Sequence, residues 1–241
     1  MTPDEYCQEK TARSGSSFYY SFLFLPQNQR RAITALYAFC REVDDVVDEC
    51  QDPQIAATKL AWWRQELSGL YAGKPQHPVT QALQAASGEF HLPEEQLQEI
   101  IDGMAMDLQQ TRYLDFKALS LYCYRVASVV GLLAAEIFGY QDRKTQKYAH
   151  DLGLAFQLTN IIRDVGEDAR MGRIYLPIDE LQRFGVPAAD ILNARHSDNF
   201  RRLMEFQIER AEGLYAQAID ELTAIDRRAQ PPGPIIGAIY R

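Results

Sequence analysis

Apolar positions along this chain recur at steps of three and four, and almost nowhere at steps of two. In RAITALYAFCREVDDVVDE, Ile33, Leu36, Phe39, Val43, Val46 and Val47 gather on one side of a helix. The same period runs through EEQLQEIIDGMAMDLQ at Leu97, Ile100, Ile101, Met104 and Leu108. It returns near the C-terminus at Leu203, Phe206, Leu214, Ala218 and Leu222, where Arg210 interrupts it. SLYCYRVASVVGLLAAEIFG is the most apolar segment, and its Ala127, Ser128 and Gly131 are small enough to let another helix or a substrate chain come close. Helices are expected over 4–16, 27–50, 54–73 and 143–166, with breaks at Asp52-Pro53, at KPQHP and at QPPGP. Trp62 and Trp63 are expected in the core or at an interface. Roughly ten helices joined by short loops imply one all-α domain around a central cavity.

Two of these apolar helices carry a stripe of charge. NIIRDVGED places Asn160, Asp164 and Asp168 at steps of four, with Gln157 three residues earlier. Residues three and four apart share a helix face, so two amides and two carboxylates stand together. REVDDVVDE repeats the pattern with Asp44 and Asp48, Asp45 alongside, and Arg41 and Tyr37 on the preceding turns. Two such helices facing each other would enclose four carboxylates. Those would raise one another's pKa unless a cation neutralised them. Oxygen-only ligands suit a hard ion such as Mg²⁺, which is bound by a few carboxylates together with substrate phosphates. A divalent-metal cluster holding a diphosphate resolves the pattern.

Composition narrows the classes. The 241 residues are 46% hydrophobic, as expected for a chain with a sizeable core. A formal net charge of −8 argues against nucleic acid as partner. Cys7, Cys40, Cys50 and Cys123 form no C-x-x-C and have no histidine cluster, which disfavours zinc and fits a reduced, cytoplasmic setting. Cys40 and Cys123 read as buried thiols. MTPDEYCQEK is too polar for a signal or transit peptide, and no apolar run approaches the ~20 residues of a membrane span. A greasy substrate could still draw the protein to a membrane surface at the inner face.

The paired Asp-x-x-x-Asp motifs, with SSFYYSFLFLP, RRAITALYAFCREVDDVVD, YCYRVASVVG and RDVGEDARMGRIYLP, resemble the squalene/phytoene synthase family over nearly the whole chain. The wording is most similar to the hopanoid-pathway branch that makes presqualene diphosphate. The resemblance implies an isoprenoid synthase-type helical bundle spanning 1–241, lacking its C-terminal helix because IIGAIYR reads as a helix cut short. It implies Mg²⁺-dependent head-to-head condensation of two farnesyl diphosphates to presqualene diphosphate. Asp44, Asp48, Asn160, Asp164 and Asp168 would be the metal ligands. Tyr122 would lie by the reacting carbons. Ser17, Phe18, Tyr37, Arg41, Gln157, Arg163 and Arg173 would contact substrate, with Arg170 a further candidate. Family members often carry a basic residue at this spot, where this chain has Ser14, Gly15, Ser16 and Ser17 instead. No G-x-G-x-x-G follows a strand, so no separate organic cofactor site is expected.

Alternatives remain open at this stage. They are phytoene synthase using two geranylgeranyl diphosphates, squalene synthase with NADPH, a class I terpene cyclase, and an inactive helical scaffold. Loss of motif carboxylates would mark the scaffold, and all four are present. Phe18, Phe22, Leu25, Val126, Val130 and Leu133 are expected tunnel walls, with Tyr240 of the final segment another. Asp107 lies near the pocket region that the resemblance implies, but as a lone carboxylate it is expected to be solvated, and His77 is expected to be a loop histidine.

Overall fold

The computed structural model describes residues 1–13, 21–50 and 52–230. Eleven α-helices lie wholly within them, and no strand longer than an isolated bridge is found among the described residues. In chain order they are α1 (Pro3–Arg13), α2 (Gln27–Asp48), α3 (Pro53–Tyr71), α4 (Pro78–Ser87), α5 (Glu94–Gln109), α6 (Phe116–Cys123), α7 (Val129–Phe138), α8 (Lys144–Arg170), α9 (Ile178–Phe184), α10 (Ala188–Leu192) and α11 (Asp198–Glu221). The all-α class expected from the period of three and four is the class observed. The second acidic helix runs a turn further than expected, so Asp168 lies inside α8 rather than in a loop.

Local chemistry sets the helix starts. Asp52 caps α3 by accepting from the Gln54 amide at 2.8 Å, with Pro53 in the first turn. Asp115 accepts from the Ala118 amide at 2.8 Å to start α6, and Ser197 from Phe200 at 3.1 Å to start α11. His77 is more than a loop residue: its Nδ1 accepts from the Val79 amide, which caps α4, and its ring packs edge-on against Trp63. Trp63 is buried, whereas Trp62 is 43% exposed. Gly185, in the left-handed region at φ 66°, closes α9.

A π-helical turn, Tyr124–Ser128, joins α6 to α7 into one helical run. A wide turn of this kind re-aims side chains and often marks functional sites. The run Phe116–Phe138 is long and apolar enough, by length and composition, to cross a membrane. This corrects the expectation that no such stretch exists. Here it packs against α5 and α8 and walls an internal cavity. Its small residues bring backbones into contact. A Cβ on Gly153 of α8 would lie 2.7 Å from Ser128 Cα and 2.8 Å from the Ala127 carbonyl oxygen. Leu36, Phe39 and Val43 of α2 bury the other side of the molecule against α3, α4 and α5.

Candidate active site

A cavity of about 580 Å³ lies between α2, α5, the α6–α7 run and α8. Its residue order along α2 and α8 gives it a direction. From one end to the other, α8 contributes Asp168, Asp164, Asn160, Gln157, Phe156, Gly153, Leu152, Ala149 and Tyr148. Along α2 the order is Asp48, Asp44, Arg41, Cys40, Tyr37, Leu36 and Ile33. Each helix grades from carboxylates to apolar side chains, so the cavity has an acidic mouth and a greasy interior.

The two motif helices thus face one cavity. Asp44, Asp48, Asn160, Asp164 and Asp168 all line it, as do Tyr37, Arg41, Tyr122, Gln157, Arg163 and Arg173. Ser17 and Phe18 lie outside the described residues, and so does Tyr240. Asp45 turns the other way: it holds Lys10 of α1 at 2.7 Å and accepts from Arg41 at 2.7 Å. Of the two adjacent aspartates, one therefore serves the cavity and the other ties down α1. Of the expected walls, Phe22, Val126 and Val130 line the space, whereas Leu25 and Leu133 are packed into the core without reaching it. Arg170 is exposed and absent from the lining.

Electrostatics at the mouth follow from crowding and burial. Asp44 is pushed up to about 6, first by desolvation and then by Asp48, with Arg41 opposing. Asp168 reaches about 6 by burial and the neighbouring Asp164. Arg41 is ion-paired with Asp44 and Asp45, and Arg163 forks onto Asp164 through Nε and Nη2, both at 2.7 Å. Arg173 is placed differently. Its charge is felt by Asp48, Asp107 and Asp168 together, so it lies between the two acidic helices. It arrives on the loop after α8. That loop is pinned by Ile174 N donating to the Thr111 carbonyl at 3.1 Å and by Arg112 Nη1 donating to the Gly172 carbonyl at 2.9 Å. Among the described residues, no three acidic or metal-ligating side chains converge on one point. Asn160 Oδ1 is buried with no hydrogen-bond partner among the described residues, although its Nδ2 donates to Gln157 Oε1 at 3.4 Å.

Asp107 is where its position suggested, near the pocket, but not in the role expected of it. It is no solvated carboxylate: it lines the cavity and accepts from Tyr122 at 2.9 Å and Tyr175 at 2.8 Å. Burial raises its pKa, while the two phenols hold it down in part. The Tyr122 and Tyr175 rings stack at 5.2 Å, with Tyr113 behind them. A phenol that gives its proton to a buried carboxylate turns its oxygen lone pairs elsewhere. Tyr122 and Tyr175 therefore add electron-rich oxygens and ring faces to the cavity wall. Tyr175 stands in the quoted ARMGRIYLP, but its meeting with Asp107 is a tertiary contact that no local pattern announces.

An all-helical shell around a greasy cavity, with an acidic mouth formed by two helices, defines the isoprenoid synthase class of fold. Known proteins agree. A squalene synthase, HpnC from Alicyclobacillus acidocaldarius, superposes with a TM-score of 0.88 at 30% identity, over 99% of this chain and 91% of that one. A dehydrosqualene synthase gives 0.86 at 31% identity, over 99% and 83%. In sequence, the chain is 39% identical to the 15-cis-phytoene synthase of Synechocystis sp. over 95% of its own length and 71% of the relative's. It is 40% identical to the phytoene synthase of Arthrospira platensis over 92% and 76%. Residues 11–241 match the squalene/phytoene synthase family as a whole. The chain belongs to that family, and with it to the prenyl transferases that work on prenyl diphosphates.

Proposed function

We propose that this protein is a phytoene synthase-type enzyme that condenses two geranylgeranyl diphosphates head to head. The observation that carries the reading is the single cavity onto which both acidic helices open. The choice of the longer substrate is supported by the curated relatives named phytoene synthase. It replaces the farnesyl reading that the sequence suggested. The farnesyl reading, with presqualene diphosphate as product, keeps the support of the likeness to the solved squalene and dehydrosqualene synthases.

A hard divalent cation such as Mg²⁺ fits the donor set. The ligands on offer are carboxylate and amide oxygens, Asn160 Oδ1 lacks a partner among the described residues, and Asp44 and Asp168 hold their charge reluctantly without a counter-ion. Asp44 and Asp48 on α2, and Asn160, Asp164 and Asp168 on α8, would each supply a few ligands to such ions, with diphosphate oxygens completing the set, since no three acidic side chains among the described residues converge on one point. Bound there, they would neutralise the leaving diphosphate, an effect worth several kcal/mol of barrier. Arg173, between the two acidic helices, presents a fork matched to diphosphate oxygens, and Arg41 and Arg163 can exchange a carboxylate for a phosphate. When the allylic C–O bond breaks, the diphosphate carries away the electron pair. The cation left behind then meets the double bond of the second chain. Phe22, Val126, Val130 and Phe156 keep water from reaching it first, and the Tyr122 and Tyr175 faces stabilise it. Closure of a cyclopropane between the two chains releases one proton. Departure of the second diphosphate leaves a second cation, which rearranges with opening of the ring and loses a second proton to give phytoene without a reductant. The four cysteines are free, which suits a cytoplasmic setting.

The test offers geranylgeranyl and farnesyl diphosphate together with Mg²⁺, with and without NADPH, and identifies products by mass spectrometry. Phytoene with released diphosphate, lost in folded Asp44→Ala and Asp164→Ala proteins, is expected. Full activity in either variant would contradict the roles given to these carboxylates.

A further inference from the structure

The greasy end of the cavity holds a side chain that the chemistry at the mouth does not use. Tyr148 lines the cavity and is 3% exposed, yet its hydroxyl has no hydrogen-bond partner among the described residues. Stranding such a group costs about 1–3 kcal/mol, which a phenylalanine in the same place would avoid. Around it stand Ala135 and Phe138 of α7 and Gln230, whose Nε2 donates to the Gly139 carbonyl at 2.9 Å. The wall beside it cannot yield by moving a side chain. A Cβ on Gly131 would sit 2.5 Å from the Ala149 carbonyl oxygen, so α7 and α8 touch there backbone to backbone.

Helix α8 acts as a ruler. Tyr148 and Asp164 lie on that one helix, and their separation in sequence corresponds to roughly 24 Å along its axis at about 1.5 Å per residue. With C–C bonds of about 1.5 Å, an extended isoprene unit of four main-chain carbons spans roughly 5 Å. Four units end close to the Tyr148 ring, and a fifth must pass through it. We infer that Tyr148 is the floor of the prenyl channel and sets a ceiling of four isoprene units on the chains this protein accepts. The inference rests on the prenyl diphosphate reading above. The ring supplies the stop, and the unpaired hydroxyl makes that stop polar.

The test is a competition among allylic diphosphates of three, four and five isoprene units with Mg²⁺, products being read by mass spectrometry. Binding of unreactive thiodiphosphate analogues of the same three lengths, followed by calorimetry, gives the ceiling without turnover. Tyr148→Ala should raise the five-unit to four-unit ratio by about tenfold or more, the scale on which fitted apolar pockets discriminate methylene groups. Tyr148→Phe should leave the ratio nearly unchanged. A Tyr148→Ala ratio equal to that of the unaltered protein overturns the inference, and so does a Tyr148→Phe ratio that rises as far as the alanine one. Should Tyr148→Ala fail to fold, Tyr148→Leu, checked by thermal melting, decides in its place. If the unaltered protein takes three-unit chains alone, the phytoene reading falls. The floor then stands or falls on whether the alanine variant's longest bound chain grows by one unit.

Discussion

Alanine at Gly153 should damage this protein although alanine is the better helix former. Gly→Ala inside a helix ordinarily gains about 0.5–1 kcal/mol. At Gly153 the new Cβ would meet three backbone atoms of the π-turn: Ser128 Cα at 2.7 Å, Ala127 O at 2.8 Å and Ser128 N at 2.9 Å. None of these is the end of a flexible side chain, so α8 and the apolar run must move apart. Overpacking of that kind costs about 1–3 kcal/mol, enough to outweigh the propensity gain. For a chain of this size the net loss, up to about 2.5 kcal/mol, corresponds to a drop of up to roughly 10 °C in melting temperature. Gly213 in α11 supplies the control, because nothing lies within 4 Å of a Cβ there, and Gly213→Ala should melt slightly higher. Thermal unfolding followed by far-UV circular dichroism compares the three proteins. Because the crossing also walls the cavity, turnover by Gly153→Ala should fall further than its fraction unfolded explains. A Gly153→Ala protein as stable as Gly213→Ala would refute the close approach.

Three other outcomes follow from the packing and the electrostatics. Arg210 forks onto Glu180, whose side chain is 8% exposed, and lies 3.9 Å over the Phe116 ring. Arg210→Ala leaves that carboxylate buried and unpaired, which should cost about 3–5 kcal/mol in denaturant melts; a loss under about 1 kcal/mol would mean the pair is dispensable. Asp226 is buried between α8 and its preceding loop; burial pushes its pKa up, but the Thr145 hydroxyl and the Asp142 and Gln141 amides outweigh that and leave it lowered. Its folded value lies below the unfolded value of about 3.9, so its contribution is complete above that pH and is lost as pH falls through the folded value. Asp226→Asn should therefore flatten the acid limb of the stability profile, and an unchanged limb would count against the network. Asp107→Asn, a near-isosteric change, should keep the fold but lower kcat more than it raises KM, because both cavity tyrosines lose their anionic acceptor; normal kcat would make Asp107 a mere packing residue.

The helical class was readable because the apolar period persists through almost every segment. The mouth was readable because each set of functional carboxylates repeats within a single helix, at Asp44 and Asp48 and again from Asn160 to Asp168. Where the partners come from distant segments, the sequence was silent. Asp107 meets Tyr175 through the pinned loop after α8 and Tyr122 through the packing of α6 on α5, so a lone aspartate looked like a solvated one. The division of labour between Asp44 and Asp45 depends on Lys10, more than thirty residues away. Arg41 and Arg163 look alike in sequence to Arg173, yet the first two pair with carboxylates on their own helices while Arg173 lines the cavity from the loop after α8. Leu25 and Leu133, expected in the wall, face the core instead: Leu25 sits at a bend before α2, and Leu133 on a face of α7 turned from the cavity.

Central to all of this is that carboxylates from α2 and α8 act together on one metal-bound prenyl diphosphate. Calorimetric titration of an unreactive geranylgeranyl thiodiphosphate, with and without Mg²⁺, into the unaltered protein and into Asp44→Asn and Asp164→Asn measures it. Binding that requires Mg²⁺ and is weakened at least tenfold, about 1.4 kcal/mol, by either substitution is the predicted result. Equally tight binding without the ion, or in both variants, would contradict the account.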